Sequence, residues 1–583
     1  VKYGDVTDLQ DLRTSCGVDD GFYDYNKYVL ALKDNFRYYF REDGKLMKQT
    51  DPAGVNSIWY FYDADDRLCL VVDTVGRKIT FTHDANGNLY QVSWDVDIMT
   101  KNGETRQVQT ITKTVTYHYE SALNYSDVSN LYGAVQEPKE EPYVLTGVTD
   151  PMGNTTAYTW ETGTIGFTYD KDRSHWQNVY MMLTSVCSVY TNDGGEKYLN
   201  KRCFEYSKID NSAMYRKTFY AGYMENYRVA RQYSVSRSGR VMNDTRYSYY
   251  ADQEAGNYNQ YSAVIQTGGV TTTYAYAHNS GAEKDHTLSS LVVETEDGFS
   301  QATDYTYDEK KAKLGEKVSR NGHPAWEEHF NYDRKGNLTW QKDRRGKVTD
   351  IQYDPDYSIP VREAVKVTIG EAIREYVTER ELDGAGRVIR ESILHENNDG
   401  STGWIHVNRI TWDAYGNPIT QTDAVGNVVH TVYDTSLHAF PVKDYRTVTI
   451  DSWSGGGTVH DNWLTDPNGT AVMTIRSWKV FNSDGSVWLE VDNEGYAVEH
   501  FYDLYGTEIG TVNPDDDDIP VPSGEDHDDF RDFSTYASFL ANRAGNPGAR
   551  MYINYQSDFI HKVADIDAVT KKVTGVQKDG LGH

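Results

Sequence analysis

A short motif, Asp-x-x-Gly, returns at nearly regular steps along this chain and constrains its fold more than any other feature. The clearest stretch is 328–354, where runs of alternating apolar and polar residues are separated by Asp333 to Gly336 and Asp343 to Gly346. Alternation with period two predicts half-buried β-strands. Asp at the first position of a type I turn accepts a backbone hydrogen bond, and Gly three residues later adopts positive φ without steric cost. The motif therefore predicts strand–turn–strand units.

The spacing of the motif indicates a repeat architecture. Asp63, Asp73 and Asp84 follow at steps of 10 and 11 residues. We therefore predict an all-β fold, a repeat array of antiparallel β-hairpins in which each unit is stabilised by its neighbours. The structural turn residues assigned from the motif are Asp73, Gly76, Asp84, Gly87, Asp333, Gly336, Asp343, Gly346, Asp413, Gly416, Asp423, Gly426, Asp503 and Gly506.

The regularity of the repeat divides the chain into six segments. The best helix candidate is 533–543, which ends before Gly545 and Pro547. The predicted segments are an irregular N-terminal part at 1–37, clear repeats at 38–154, degenerate repeats with long loops at 155–327, clear repeats at 328–512, an acidic loop with a short helix at 513–550, and further repeat strands, cut short, at 551–583.

The net charge of −29 and a pI of about 4.9 exclude a phosphate backbone as partner, since nucleic acid needs a basic footprint. The same charge argues against an anionic membrane surface. The sequence has no apolar run of 18 residues, so we expect no membrane insertion by this chain. No signal peptide opens it, but both ends resemble the edges of a fragment, so that absence does not indicate a location.

Four cysteines, Cys16, Cys69, Cys187 and Cys203, are too few for a disulfide scaffold. Cys187 and Cys203 flank a turn at 192–195 and could face each other across a hairpin. A disulfide between them is one reading, and free buried thiols are the simpler one. No pair of cysteines or histidines has metal-binding spacing.

The acidic run at 515–529 is the one candidate metal site. It lacks the order of carboxylates and the final Glu of an EF-hand loop, so a solvated acidic loop is the competing interpretation. We expect no cofactor. The candidate Ca²⁺ ligands are Asp515, Asp516, Asp517, Asp518, Asp526 and Asp528.

No catalytic residue is assigned. Paired carboxylates could hydrolyse glycosides, but the turns already explain most aspartates. Neither HExxH nor GxSxG occurs. Trp340 and Trp412 could contact glycans, although packing against the next strand is the simpler account. The chain is therefore predicted not to be an enzyme.

The repeated Tyr-Asp-x-x-Gly-Asn-Leu pattern resembles the RHS/YD-repeat family, which includes bacterial RHS and toxin-complex shell proteins, wall-associated proteins and teneurins. The resemblance covers most of 38–503 and implies a β-ribbon that spirals into a hollow barrel or cocoon-like shell. No self-cleavage site of that family is identified. The motif is carried by Tyr332-Asp333/Gly336-Asn337-Leu338, Trp412-Asp413/Gly416-Asn417, His83-Asp84/Gly87-Asn88-Leu89, Tyr502-Asp503/Gly506 and Leu382-Asp383/Gly386-Arg387.

The resemblance leads to one functional hypothesis and one alternative. The first is a non-enzymatic structural shell segment of a large secreted or cell-surface bacterial protein, which encapsulates and helps deliver a C-terminal effector or toxin on the same polypeptide. The alternative is a cell-surface adhesin or filament-like scaffold that binds glycans or proteins through its loops. A hollow interior would favour the shell.

Overall fold

The computed structural model describes most of the chain between residues 27 and 575. The described residues are 27–102, 105–122, 143–169, 174–192, 195–209, 226–236, 239–251, 260–276, 287–370, 372–396, 400–450, 463–465, 471–491, 497–502, 506, 508–513, 550–556, 562–567 and 573–575.

The described residues form 37 β-strands and no α-helix, which confirms the all-β prediction. The first nineteen strands are β1 (Tyr28–Ala31), β2 (Arg37–Phe40), β3 (Leu46–Thr50), β4 (Ser57–Tyr62), β5 (Leu68–Asp73), β6 (Lys78–His83), β7 (Leu89–Asn102), β8 (Thr105–Ser121), β9 (Tyr143–Thr149), β10 (Thr155–Tyr169), β11 (Ser174–Asn192), β12 (Gly195–Ile209), β13 (Asn226–Val235), β14 (Val241–Ala251), β15 (Gln260–Thr267), β16 (Val270–Tyr276), β17 (Leu288–Thr295), β18 (Ser300–Tyr307) and β19 (Lys313–Arg320).

The remaining strands contain the clear second set of repeats. They are β20 (His323–Tyr332), β21 (Leu338–Lys342), β22 (Val348–Tyr353), β23 (Pro360–Ile369), β24 (Ala372–Leu382), β25 (Val388–Glu396), β26 (Thr402–Trp412), β27 (Pro418–Asp423), β28 (Val428–Tyr433), β29 (Pro441–Ile450), β30 (Trp463–Thr465), β31 (Ala471–Phe481), β32 (Val487–Val491), β33 (Ala497–Tyr502), β34 (Glu508–Asn513), β35 (Arg550–Gln556), β36 (Lys562–Asp567) and β37 (Val573–Gly575).

All of these strands belong to one sheet, and the pairing is that of a continuous antiparallel meander. Among the described residues, each strand pairs with the one before it and the one after it, except around the short β30: β29 pairs directly with β31, and β30 pairs with β31 alone. A meander of this kind is a ribbon with a row of turns along each edge. We call edge A the row that includes the turns 51–56, 73–77, 343–347 and 423–427. Edge B is the row that includes 41–45, 63–67, 84–88, 333–337, 383–387, 413–417 and 482–486.

The width of the ribbon varies along its length. β5 and β6 have 6 residues each, whereas β7 has 14 and β8 has 17. Because β6 pairs only with the first part of β7, up to Ser93, the rest of the β7–β8 hairpin projects beyond edge A. The 15- to 19-residue strands β10, β11 and β12 continue the wide region. These three strands lie in the segment predicted as degenerate repeats, whereas β7 and β8 lie in the segment predicted as clear repeats.

Burial follows the architecture of a ribbon. Most described strand residues are half-buried rather than buried, as the strand β4 illustrates with one buried position among six. Deep burial is local. Phe61, Leu70 and Val72 form a small core with Trp59 and Cys69 packed against it. The residues Trp488, Leu489 and Val96 are at most 2 % exposed; the first two lie on β32 and the third on β7.

Two of the predicted segments contain an element worth comparing with the structure: the N-terminal part and the predicted helix. Residues 1–37 were expected to be irregular, but β1 begins at Tyr28 and pairs with β2. Its register follows β2 and places Tyr28 opposite Phe40, which local composition alone does not reveal. The helix predicted at 533–543 lies outside the described residues. In the part of the chain that the structure covers, no helix has the length and apolar character to cross a membrane.

Candidate functional site: the overlap of the ribbon with itself

The Asp-x-x-Gly turns are held by the carboxylate of their first residue, as the turn at Asp333 shows. Asp333 Oδ1 accepts the backbone N–H groups of Lys335 and Asn337 at 2.8 and 2.9 Å, and Oδ2 accepts Asn337 Nδ2–H at 3.0 Å. Gly336 has a φ of 80° and donates its N–H to the Asp333 carbonyl at 3.2 Å. Burial raises the pKa of the Asp333 carboxyl, but these hydrogen bonds outweigh it and hold the pKa below its usual value.

The other motif turns that the structure describes share this geometry. The Gly N–H donates to the Asp carbonyl in the turns 73–77, 84–88, 343–347, 413–417 and 423–427. The motif does not require Gly in every copy, since Asp66 and Lys311 occupy its position with φ values of 62° and 67°. Asp503 lies outside the described residues. The φ values of Gly76, Gly87, Gly346, Gly416, Gly426 and Gly506 fall between 80° and 94°.

The fifth turn residue has a role that sequence reasoning missed. Asn417 Nδ2 donates to Asp413 Oδ2 at 2.9 Å and also to the His438 carbonyl of the next edge-B loop at 2.6 Å. Asn337 makes the equivalent bridge to Ser358 Oγ at 3.3 Å. The signal was present in the sequence as the repeated Gly-Asn pair. This residue therefore joins successive turns along edge B.

The tyrosine that precedes the turn Asp also bridges neighbouring strands. The hydroxyls of Tyr62, Tyr353 and Tyr502 donate to the carbonyls of Leu46, Leu338 and Val487 at 2.9, 2.9 and 2.7 Å. Each acceptor is the first residue of the strand before the tyrosine's own strand. The hydrogen bond therefore joins the two strands at the end opposite to the turn that connects them. Burial raises the pKa of Tyr502 to about 12, so its hydroxyl remains a donor at neutral pH.

The ribbon contacts itself where a turn near the start of the chain meets a turn far along it. Asn56 Nδ2, in an edge-A turn, donates to the carbonyl of Tyr415, in an edge-B turn, at 3.0 Å across 359 residues of sequence. A cavity of about 360 Å³ lies at this contact, and its lining includes Val75, Leu437 and His438. The rings of Tyr415 and His438 stack with centroids 3.8 Å apart. Edge A of one coil therefore faces edge B of the next.

A second contact lies further along the same overlap. The edge-B turn 482–486 sits on the projecting part of β7. Met99 N–H donates to Asn482 Oδ1 at 2.9 Å, Asp97 N–H donates to Ser483 Oγ at 2.7 Å, and Ser483 N–H donates to the Asp97 carbonyl at 3.0 Å. Asn482 and Met99 are 2 % and 4 % exposed. We call this contact and the Asn56–Tyr415 contact together the seam.

An ion pair crosses the seam beside this turn. Lys113 Nζ lies 3.2 Å from Asp484 Oδ2, and the two side chains are 9 % and 21 % exposed. Asp484 as a whole is more exposed than its side chain, so most of its accessible surface is backbone. Burial raises the pKa of the Asp484 carboxyl, but the hydrogen bonds from Ser486 and the Lys113 ammonium outweigh it and lower the pKa.

The described residues do not include the predicted metal ligands. The acidic run, including Asp515 to Asp518, Asp526 and Asp528, lies outside them. Within them, no three His, Cys, Asp or Glu side chains cluster closely enough to hold a metal ion. Trp412 Nε1 donates at 2.9 Å to the carbonyl of Val388, which begins the preceding strand β25.

The two hairpin cysteines are free and buried, as the simpler interpretation had it. Cys187 lies opposite Lys201, and Cys203 lies opposite Ser185, so the thiols are diagonal rather than facing. Burial raises the pKa of the Cys187 thiol. Cys69 is disulfide-bonded, and Cys16 lies outside the described residues.

Comparison with known proteins gives structural matches only. No protein-family model matches the chain, and no curated protein matches it. A crystal structure of TcdB2-TccC3 without its hypervariable C-terminal region matches with a TM-score of 0.39 and 11 % identity, covering 96 % of this chain and 31 % of that one. A second TcdB2-TccC3 crystal structure gives 0.36 and 12 %, with 96 % and 29 % covered.

A structure of the Photorhabdus luminescens Tc holotoxin pore matches with a TM-score of 0.21 and 10 % identity, covering 90 % of this chain and 38 % of that one. The chain thus spans about a third of the length of these chains. With TM-scores below 0.5, the matches do not establish a shared fold. The all-β antiparallel ribbon rests on the strands and their pairing, described above.

Proposed function

We propose that this chain is a non-enzymatic wall segment of a shell, built from a ribbon that winds into a spiral and bonds to itself at the seam. The observation that carries the proposal is the set of seam contacts between residues 359 to 386 apart in sequence. Local hairpin packing cannot produce contacts of that range. They require the ribbon to complete a circuit and meet its own earlier edge.

The spiral has a physical rationale. A long meander leaves open backbone groups wherever a strand projects past its neighbour, and such edges favour aggregation. At the seam, the projecting part of β7 instead donates two backbone N–H groups to the turn 482–486 and accepts one from it. The contact is edge to edge, so the faces of the ribbon remain available as the inner and outer surfaces of a wall. A wall acts sterically and needs no catalytic group.

The contents and location of the shell belong to the same proposal. We infer that the enclosed partner is an effector or toxin on the same polypeptide, and that the protein is secreted or displayed at the cell surface. The support is the resemblance of the repeat to YD-repeat shell proteins, together with the seam. No part of the proposal rests on the toxin-complex structures, whose TM-scores are below 0.5.

One observation favours the alternative of a surface scaffold. The hairpin ends of β23 to β26 expose large apolar side chains, with Ile373 71 %, Tyr376 54 % and Trp404 44 % exposed. Exposed aromatic side chains are suited to contact with a glycan or protein partner. If this is the main function, glycan or protein ligands should bind the chain, and the substitution Trp404→Ala should weaken that binding.

The decisive experiment is direct imaging of the particle together with protection of a passenger. Electron microscopy of the 583-residue chain should show a hollow interior tens of ångströms across. A protease-sensitive protein fused after residue 583 should be cleaved more slowly than the same protein alone. A filled interior would refute the shell, as would a passenger cut at the rate of the free protein while the wall stays intact.

A further inference from the structure

The turn 482–486 docks on an open strand edge, that of β7. β8 pairs with β7 along its whole length, from Gln91 to Asn102, but β6 pairs with β7 only up to Ser93. The side of β7 that faces β6 is therefore unpaired within the hairpin array beyond Ser93. The N–H groups of Asp97 and Met99 are on this side, because both donate to the turn rather than to β8.

The docking turn differs from the standard repeat turn in its first residue. In the standard turn, both carboxylate oxygens of residues such as Asp333 accept hydrogen bonds from within the turn. The turn 482–486 begins with Asn. Asn482 Nδ2 donates to Ser486 Oγ at 2.9 Å, which leaves Oδ1 to accept Met99 N–H from the other coil.

The internal hydrogen bonds of this turn are supplied by a different residue. Asp484 Oδ1 accepts Ser486 N–H at 3.1 Å and Ser486 Oγ–H at 2.6 Å. Gly485 N–H still donates to the Asn482 carbonyl at 3.0 Å. The turn therefore keeps its shape while its first two side chains accept hydrogen bonds from β7. In the Asp333 turn, by contrast, both side-chain oxygens already accept hydrogen bonds from within the turn.

We propose that the turn 482–486 fixes the register in which one coil overlaps the next, and we call this turn the key. Asn482 and Ser483 are its positioning residues, and the open edge of β7 is the surface on which it docks. Alternate peptide groups of a strand point to opposite sides. If the turn 482–486 moved by one residue along β7, it would meet backbone groups of β7 that point toward β8 and already pair with it. A slip of two residues would separate Lys113 from Asp484. Only the observed register satisfies both contacts.

This proposal rests on the proposed function, because the register of overlap matters only if successive coils close into a wall. It is tested on the whole chain. Asn482→Asp should make the amides of 95–102 exchange hydrogen at least about tenfold faster, because it places a second carboxylate two residues from Asp484, at a position 2 % exposed, where the ion pair supplies one cation, Lys113. Asp343→Asn, a matched change in an edge-A turn outside the seam, should leave exchange at 95–102 unchanged. Unchanged exchange in Asn482→Asp, or equal acceleration in both variants, would overturn the key.

A second pair of variants keeps the test valid if Asn482→Asp does not fold. Ser483→Ala removes the acceptor of Asp97 N–H and should accelerate exchange at 95–102, whereas Ser483→Thr keeps the hydroxyl and should restore protection. Equal exchange in the Ala and Thr variants would contradict the role of Ser483. Failure of the shell gives a different result: the key variants loosen 95–102 as expected, but the particle has no hollow interior.

Discussion

The ion pair between Lys113 and Asp484 tests the seam quantitatively. Removing one member of a buried pair leaves the other charge unpaired, which costs roughly 3–5 kcal/mol. For Asp484→Ala we expect about 3 kcal/mol, because Lys113 is almost fully buried at 9 % exposure and Asp484 is the carboxylate that pairs with it in the described part of the chain. Lys113→Met should cost only about 1 kcal/mol, since Asp484 keeps the hydrogen bonds from Ser486 and some access to water.

The double variant separates the ion pair from the other roles of each residue. Lys113→Met with Asp484→Ala should cost less than the sum of the single changes by at least about 1.5 kcal/mol, because no charge is left buried alone. The assay is the free energy of local opening from hydrogen exchange of 95–102, which does not depend on two-state unfolding of the whole array. Additive costs, with a coupling below about 0.5 kcal/mol, would refute the buried pair.

The pH dependence of the same contact has a defined sign. The pKa of Asp484 is lowered in the folded chain, so the stability that the pair contributes is present above the ordinary carboxyl pKa of about 3.9. It is lost as the pH falls through the lower, folded pKa. Seam opening should therefore become easier below about pH 3.9. Asp484→Asn should abolish this acid dependence, which exchange measured between pH 2 and pH 5 would show.

Three further predictions concern the repeat itself. Gly336→Val should destabilise its hairpin by more than about 1 kcal/mol, measured by hydrogen exchange of the β20 and β21 amides, and an unchanged profile would contradict the turn assignment. Gly386→Ala should cost more than Gly336→Ala, since a Cβ at Gly386 would lie 2.5 Å from the Tyr357 ring whereas nothing lies within 4 Å at Gly336; equal costs in urea unfolding would refute this. Tyr502→Phe should cost about 1 kcal/mol below pH 10, and the difference should vanish as the pH rises through the folded pKa of about 12, checked by alkaline unfolding of both proteins.

Local features of the fold could be predicted because each is encoded within about ten residues. Asp333 and Gly336 specify a turn through a carboxylate and a backbone conformation, and the flanking alternation specifies the strands. The same reasoning did not identify the donor role of Tyr353 or Asn337. Both residues were visible as parts of the repeat, but their partners, the Leu338 carbonyl and Ser358, follow from strand register rather than from the motif.

The seam could not be predicted from periodicity, because Asn482 and Met99 are 383 residues apart. Two departures from the repeat could have pointed to it. One is Asn at the first position of a turn where Asp is the rule. The other is the 14-residue strand β7 beside a 6-residue strand, which necessarily leaves an open edge. Contacts that close a repeat array are thus encoded where the repeat is broken.

The chemistry of the turn aspartates bears on whether these residues could serve in catalysis. In Asp333, Asp383 and Asp423 the carboxylate accepts two backbone N–H groups and one side-chain donor, and these hydrogen bonds lower its pKa despite any burial. A general acid needs the opposite, a pKa raised toward the working pH. Protonating such a carboxylate would also break the turn that it holds. The residues that make the chain rich in carboxylates are therefore the least suited to proton transfer, and their abundance follows from the number of turns that a ribbon of this length requires.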